Sequence, residues 1–144
     1  MNHLITFNNV GIAILLLLVA GVITLRVRKK RPRRIKVDKY VTKWKELQQY
    51  CKKKETWPNA VLAADKLLDN ALKRRRFKGK SMGERMVSAQ RTFIDNDAVW
   101  FAHNLSKKIL ADDTYKLREA DVKNALLGFG QALRDIGALP RGRK

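Results

Sequence analysis

The feature that most constrains this chain is an abrupt change of charge near residue 25. The first 25 residues contain no Asp, Glu, Lys or Arg, and the next fourteen contain nine Lys or Arg against one Asp. The uncharged part includes a continuous apolar run from Ile12 to Ala20. At about 1.5 Å per residue, a helix from Leu4 to Leu25 would extend about 33 Å, enough for the hydrocarbon core of a bilayer. The sequence therefore predicts an N-terminal transmembrane helix.

The order of charge predicts the topology of such a helix. Positive charge marks the cytoplasmic flank of a membrane span, so we expect a single-pass protein of the cell membrane with its N-terminus outside and its C-terminal domain in the cytoplasm. A cleaved signal peptide would carry positive charge before the apolar stretch and small residues after it, whereas Arg26-Val27-Arg28 follows directly here. A buried core helix is the remaining alternative, but it is seldom uncharged over such a length.

The rest of the chain is long enough for one small domain. We predict an anchor at 1–25, a basic juxtamembrane segment at 26–39, a cytoplasmic helical bundle at 40–139 and a basic tail at 140–144. About 105 residues follow the apolar and most basic parts, enough to bury one core. The single Cys51 excludes an internal disulfide, which suits a reducing compartment.

The net charge of +19 is concentrated in three segments. Residues 26–39 contribute +8, residues 73–80 contribute +6 and the tail contributes +3. The first patch is predicted to contact lipid headgroups, at about 1 kcal/mol per basic residue, or nucleic-acid phosphates; it contains Arg26, Arg28, Lys29, Lys30, Arg31, Arg33, Arg34 and Lys36. The second is interpreted as a solvated helix end or a further ligand patch; it contains Lys73, Arg74, Arg75, Arg76, Lys78 and Lys80.

Apolar residues with helical spacing predict five helices after the basic segment. The first carries a stripe from Val37 to Cys51, and the second opens at Thr56-Trp57-Pro58. Ser81 and Glu84 form the pattern of a capping box. Asp95-Asn96-Asp97 is predicted to cap the next helix, and Gly137 to end a last helix that begins near Leu117. The predicted fold class is all-α, a single transmembrane helix followed by a four- to five-helix up-and-down bundle.

Few residues suggest catalysis or metal binding. His3 and His103 stand far apart in the sequence, and the Gly residues form no phosphate-binding loop. Asp95 with Asp97, and Asp112 with Asp113, occur where helices break and are interpreted as caps. Cys51 is interpreted as a core residue and His103 as a structural or interfacial one. We therefore expect no metal, no cofactor and no enzyme activity, with an unrecognised activity as the remaining alternative.

The stretch from Trp57 to Leu139 resembles HEPN-type helical domains found in small bacterial proteins. The segments that carry the resemblance are Ala64–Asp69, Ser81–Arg85, Trp100–Leu110, Ala125–Phe129 and Leu133–Gly137. Ribonucleases of this family carry a motif similar to A-H-x-L-R-N-x-I-x-H. In the matching stretch, from Ala102 to Ala111, the arginine position holds Ser106, the asparagine position Lys107 and the last histidine position Ala111. Alanine cannot transfer a proton, so the resemblance implies a noncatalytic member.

The same resemblance implies dimerisation through the motif-bearing helices, with His103, Ser106 and Lys107 as candidate interface residues. Our first hypothesis is a membrane-anchored, noncatalytic interaction or scaffold module. Its expected partners are anionic lipids and a protein partner or a second copy of the chain. The alternative is a membrane-tethered RNA-binding protein that uses its basic patches without sequence preference. Phe77 is the only aromatic residue inside the second patch, which gives little support for base stacking.

Overall fold

The computed structural model describes the backbone of residues 2–30 and 34–141, and the side chains of residues 11–26 and 34–141. All regular secondary structure in this part of the chain is helical. The six α-helices are α1 (Asn2–Lys30), α2 (Val37–Gln49), α3 (Trp57–Arg74), α4 (Met82–Ala89), α5 (Asn96–Ala111) and α6 (Glu119–Asp135). Two short 3-10 turns, Tyr50–Lys52 and Lys54–Thr56, connect α2 to α3. The chain divides into two compact units, residues 1–32 and 33–144.

The first unit contradicts the prediction of a transmembrane anchor. Within the residues that the structure describes, no helix is both long enough and apolar enough to cross a membrane. The predicted single-pass topology and cell-membrane location are corrected by the same finding. The side chains of residues 4–10 lie outside the described residues.

The second unit is a helical bundle, as predicted. Its core is formed by fully buried side chains of α3, α4, α5 and α6, the largest being Leu68, Leu72, Met86, Val99, Phe129 and Leu133. Two glycines of α6 let neighbouring elements approach closely. A Cβ at Gly128 would lie 2.6 Å from the carbonyl oxygen of Ala98 in α5, and one at Gly130 would lie 3.0 Å from the Trp44 ring of α2. These glycines therefore set the distances between α6 and its neighbours.

Helix α2 begins where a short extended segment is anchored in the core. Ile35 and Tyr40, on either side of the helix start, are both buried at the positions of a hydrophobic staple. The residue at the N-cap, Lys36, makes no side-chain capping hydrogen bond. The predicted apolar stripe is only partly buried, because Val37 is exposed and Cys51 is half-buried. The staple thus fixes a basic segment at the start of the helix.

Helix α3 ends in a backbone arrangement that usually contains glycine. The N–H of Arg76 donates to the carbonyl of Lys73, and the N–H of Phe77 donates to that of Leu72. These two bonds define a Schellman motif, whose C′ residue adopts a left-handed conformation. Here that residue is Arg76, with φ of 62°. An arginine therefore occupies a position where a side chain is disfavoured.

Three of the predicted helix caps of the second unit are confirmed, at Ser81, Asp95 and Gly137. Thr56 stands at the N-cap of α3, but its side chain makes no capping hydrogen bond. The N–H of Glu84 donates to Ser81 Oγ at 3.2 Å, and the Glu84 carboxylate accepts the N–H of Lys80 at 2.8 Å. The carboxylate of Asp95 accepts the N–H of Ala98 at 2.9 Å at the start of α5. Gly137 follows α6 with φ of 72°. These caps depend on residues close in sequence, which explains why their pattern was sufficient to predict them.

A buried arginine fixes α4 against α3. Arg85 is 6% exposed; its Nε donates to Asp69 Oδ1 at 2.7 Å, and one terminal nitrogen donates to the Gly79 carbonyl at 2.8 Å. A Cβ at Gly79 would lie 2.6 Å from the Arg85 backbone nitrogen, so the loop can pass this close only with glycine. Asp69 also pairs with Lys73. The loop after α3 is therefore held by an ion pair in addition to the packing of Phe77 against the core.

Candidate functional site

The start of α2 and the end of α3 enclose an open cavity at one end of the bundle. The cavity has a volume of about 910 Å³. Residues of both helix ends and of the segment before α2 line it: Arg34, Ile35, Lys36, Val37, Asp38, Lys39 and Arg74. We call this cavity the basic cleft. It joins parts of the two basic patches that are about forty residues apart in the sequence.

The basic cleft is rich in free positive charge. Its four cations, Arg34, Lys36, Lys39 and Arg74, are all exposed. None of them forms an ion pair within 4.0 Å with an acid in the described part of the chain. Asp38 is the one acidic residue among those that line it. The lining thus carries a net charge of +3, and its cations remain available to an anion.

The backbone at the start of α2 reinforces this preference for anions. The first N–H groups of a helix have no partner within the helix and carry a partial positive charge. With Lys36 at the N-cap and no capping side chain, these groups have no side-chain acceptor of the usual kind. A positive residue at this position opposes the helix dipole. The cleft therefore combines exposed cations with the N-terminus of α2, whose first turn also contains Asp38, and a helix N-terminus beside cations is suited to phosphate.

A tyrosine on the cleft side of α2 is electrostatically coupled to α3. Burial raises the pKa of the Tyr40 hydroxyl above 10.0, and the positive charge of Arg74 acts in the opposite direction. Ionisation of Tyr40 can therefore report on charge in the basic cleft.

Only part of the second predicted basic patch belongs to the cleft. Arg74 lines it, whereas Lys73 is paired with Asp69. Arg75 turns to the end of α6, where its Nε donates to the Ile136 carbonyl at 2.8 Å. Lys78 and Lys80 are exposed in the loop before α4. Arg76 is half-buried and makes no hydrogen bond through its side chain with another described residue.

The first predicted patch is divided in a similar way. Arg34 and Lys36 lie in the basic cleft. Arg26, Arg28, Lys29 and Lys30 belong to α1 in the other unit, and only Arg26 among them has a described side chain. Arg31 and Arg33 lie outside the described residues, as do the last two basic residues of the tail, Arg143 and Lys144. The predicted patch is thus represented in the cleft by two of its members.

The candidate interface residues on α5 do not form one exposed surface. The Nδ1 of His103 lies 2.8 Å from Asp65 Oδ1, and both side chains are half-buried between α5 and α3. Ser106 is 1% exposed, and its hydroxyl has no hydrogen-bond partner among the described residues. Lys107 is exposed. His103 therefore joins two helices, Ser106 belongs to the core, and only Lys107 is available to a partner in this unit.

The pair of His103 and Asp65 resembles the orienting half of a catalytic triad, in which a carboxylate fixes an imidazole. A triad also needs a nucleophile bonded to the second ring nitrogen. The nearest hydroxyl along α5, that of Ser106, makes no such bond. Among the described residues, no group of three or more His, Cys, Asp or Glu side chains is placed to hold a metal ion. The geometry of this pair is that of an interhelical hydrogen bond.

A second groove lies between α2 and α3, further along the same helix pair. It has a volume of about 270 Å³ and is lined by Lys43, Glu46, Leu47, Tyr50, Ala63, Lys66, Leu67 and Asn70. Its polar residues were not identified as candidates from the sequence. The signal that could have found them is the four-residue spacing of Lys39 and Lys43 on α2, repeated by Lys66, Asn70 and Arg74 on α3. Such spacing places residues on one face of a helix.

A groove on the opposite helix pair is of a different kind. It lies between α5 and α6, has a volume of about 650 Å³ and is lined by Asp95, Asp97, Phe101, Leu127 and Arg134, among others. Phe101 and Leu127 expose 41% and 58% of their surface. The acidic and apolar lining contrasts with the basic cleft. Charge therefore distinguishes the linings of the two cavities.

Comparison of the chain with known families, proteins and structures finds no match. No protein-family model matches the chain, and no curated protein or solved structure shows significant similarity to it. The resemblance to HEPN-type domains therefore stays a prediction.

Proposed function

We propose that this chain is a noncatalytic helical module that binds nucleic acid through phosphate contacts in the basic cleft. The observation that carries the proposal is the set of four exposed, unpaired cations around the start of α2. A phosphate backbone supplies the repeated negative charge that such a cleft attracts. We infer no catalytic role for two reasons. The resemblance implies a member without the arginine and histidine of the ribonuclease motif, and His103 links α5 to α3 through Asp65.

The composition of the cleft favours phosphate contacts over base recognition. Sequence is read by groups that hydrogen-bond or stack with bases, whereas Lys and Arg on phosphates carry no sequence information. The aromatic residue beside the cleft, Tyr40, is buried, so it offers no stacking face there. We therefore expect binding without sequence preference.

The salt dependence of binding can be estimated from the number of cations. We assume that each of the four cleft cations neutralises one phosphate of a single strand. A plot of the logarithm of the binding constant against the logarithm of the salt concentration then falls with a slope of about 2.8. Affinity for RNA should then decrease about 50-fold between about 50 and 200 mM salt.

The test is a salt titration of RNA binding by fluorescence anisotropy, with the full chain and two double variants of equal charge. Lys39→Ala with Arg74→Ala removes half of the cleft cations and should reduce the slope by about 1.4. Lys107→Ala with Lys123→Ala removes two exposed lysines of α5 and α6 and should leave the slope nearly unchanged. Equal effects of the two double variants would contradict a localised site. Binding to anionic vesicles without binding to RNA would replace nucleic acid by lipid as the ligand.

A further inference from the structure

The groove between α2 and α3 and the basic cleft lie along the same pair of helices, and we call the two together the track. The two helices run antiparallel, since the cleft joins the start of α2 to the end of α3 while the second groove joins Tyr50 to Ala63. Lys39 and Arg74 stand at the cleft end, and Lys43 and Lys66 line the second groove. Glu46 is the one acid among the residues that line the second groove. Six cations therefore line the track over the length of α2, about 20 Å, against two acids, Asp38 and Glu46.

The far end of this track presents an aromatic ring to solvent. Tyr50 is 44% exposed and lines the second groove. Its backbone is held in place, because Thr56 Oγ1 donates to the Tyr50 carbonyl at 2.6 Å and Trp57 Nε1 donates to the Cys51 carbonyl at 3.1 Å. An exposed ring on a fixed backbone loses little freedom when a ligand stacks on it.

Further cations follow the ring. Lys52 and Lys53, which follow Tyr50 closely in the sequence, are exposed. Proteins that bind single strands combine a basic groove that follows the backbone with aromatic rings on which bases stack. The bases of a duplex are stacked on one another and present no free face to such a ring.

We propose that a single strand of nucleic acid lies along the track between α2 and α3, with a base stacked on Tyr50 and phosphates on Lys39, Lys43, Lys66 and Arg74. This inference rests on the proposed function and narrows its ligand to single-stranded nucleic acid. A track of about 20 Å suits a segment on the order of four nucleotides, the lower end of known single-strand site sizes. Duplexes reach only the basic cleft.

The test compares binding of a single-stranded RNA and of its duplex to the full chain. Tyr50→Ala should weaken single-strand binding about 5- to 150-fold, the range that corresponds to loss of one stacked base, and should leave duplex binding unchanged. Tyr50→Phe should retain affinity because it keeps the ring, whereas Tyr50→Leu should lose it while filling similar space. Phe101→Ala is the matched control, because Phe101 is exposed to a similar extent on α5.

The lysines of the track are tested by a second pair of variants. Lys43→Ala with Lys66→Ala should reduce the salt slope for the single strand by about 1.4 and leave that for the duplex unchanged. If the unaltered chain binds neither ligand, the proposed function itself fails. A different result would contradict only the further inference. If binding depends on Arg74 but Tyr50→Ala and Tyr50→Leu have the same single-strand affinity as Phe101→Ala, the basic cleft binds nucleic acid and the proposed stacking on Tyr50 is wrong. Circular dichroism confirms that each variant is folded.

Discussion

Two neighbouring arginines at the end of α3 should respond in opposite directions to the same substitution. Arg76 has φ of 62°, a conformation that costs a residue with a side chain about 1–2 kcal/mol and that glycine adopts freely. Arg75 has φ of −76° and donates to the Ile136 carbonyl. The pair therefore allows backbone conformation to be separated from charge, since both variants lose one positive charge.

The magnitudes follow from these two environments. Arg76→Gly relieves about 1–2 kcal/mol, and the greater freedom of glycine in the unfolded chain offsets about 0.5–1 kcal/mol of that gain. The expected net change is a stabilisation of about 0.5–1 kcal/mol. Arg75→Gly adds the same entropic cost and loses a hydrogen bond from a charged donor, worth about 1.5 kcal/mol at a half-buried site. We expect it to destabilise the bundle by about 2 kcal/mol.

The assay is urea unfolding of the two variants and the unaltered chain, followed by far-ultraviolet circular dichroism and by tryptophan fluorescence. All three tryptophans of the chain, Trp44, Trp57 and Trp100, lie in the second unit, so the fluorescence reports on the bundle. The midpoint should rise for Arg76→Gly and fall for Arg75→Gly. If Arg76→Gly destabilises the protein as much as Arg75→Gly does, the reasoning from the left-handed conformation is wrong.

Three further predictions concern the core and the cleft. Gly128→Ala should destabilise the bundle by about 1–3 kcal/mol, because its Cβ would meet the backbone of α5 at 2.6 Å. Gly83→Ala has its nearest neighbour at 3.6 Å and should stabilise the bundle by up to about 1 kcal/mol through helix propensity. Urea unfolding measures both changes. Ser106→Ala should stabilise the protein by about 1 kcal/mol, since it removes a buried hydroxyl without a partner among the described residues. In an ultraviolet titration, Tyr40 should ionise above pH 10.0 because burial raises its pKa, and Arg74→Ala should raise that pKa further because a lowering charge is lost.

Each of these predictions has a distinct outcome that would count against it. Equal changes in the free energy of unfolding for Gly128→Ala and Gly83→Ala would mean that α5 and α6 are less closely packed than described. A destabilised Ser106→Ala would show that the hydroxyl has a partner. A raised pKa favours the neutral phenol in the folded state, so the stability due to Tyr40 is present below pH 10 and lost as the pH rises through the folded-state pKa. Tyr40→Phe should abolish that loss, and an unchanged alkaline decline would assign it to another group.

Much of the local structure could be predicted because it depends on residues that are close in the sequence. The Ser81 and Glu84 cap, the Asp95 cap and the glycine after α6 each act within one helical turn. Apolar spacing likewise predicted the helices of the bundle, within the precision at which helix ends can be assigned. Where the prediction of burial was inexact, as for the exposed Val37 of the stripe on α2, the helix was right but its position relative to neighbouring helices was not known.

The arrangement of charge could not be predicted in this way. Total charge and basic segments are properties of the sequence, but whether a cation is free depends on what the fold brings beside it. Lys73 meets Asp69 on its own helix and Arg75 meets the end of α6, while Arg74 is directed to the start of α2. These three consecutive residues carry the same charge and have nearly the same neighbours in the sequence, yet each lies in a different environment in the fold.

The sequence by itself determined that the second unit is helical and strongly basic, because hydrogen bonds within a helix and the ionisation of Lys and Arg are local properties. Only the tertiary structure decided that Arg34, Lys36 and Lys39 share a cleft with Arg74, and that Tyr50 stands exposed at the far end of the same helix pair. That pairing of α2 with α3 depends on buried side chains such as Ile35, Leu47 and Leu68. Packing of apolar residues thus fixes the position of every charge in the proposed site, since the cations themselves make few contacts that could hold them there.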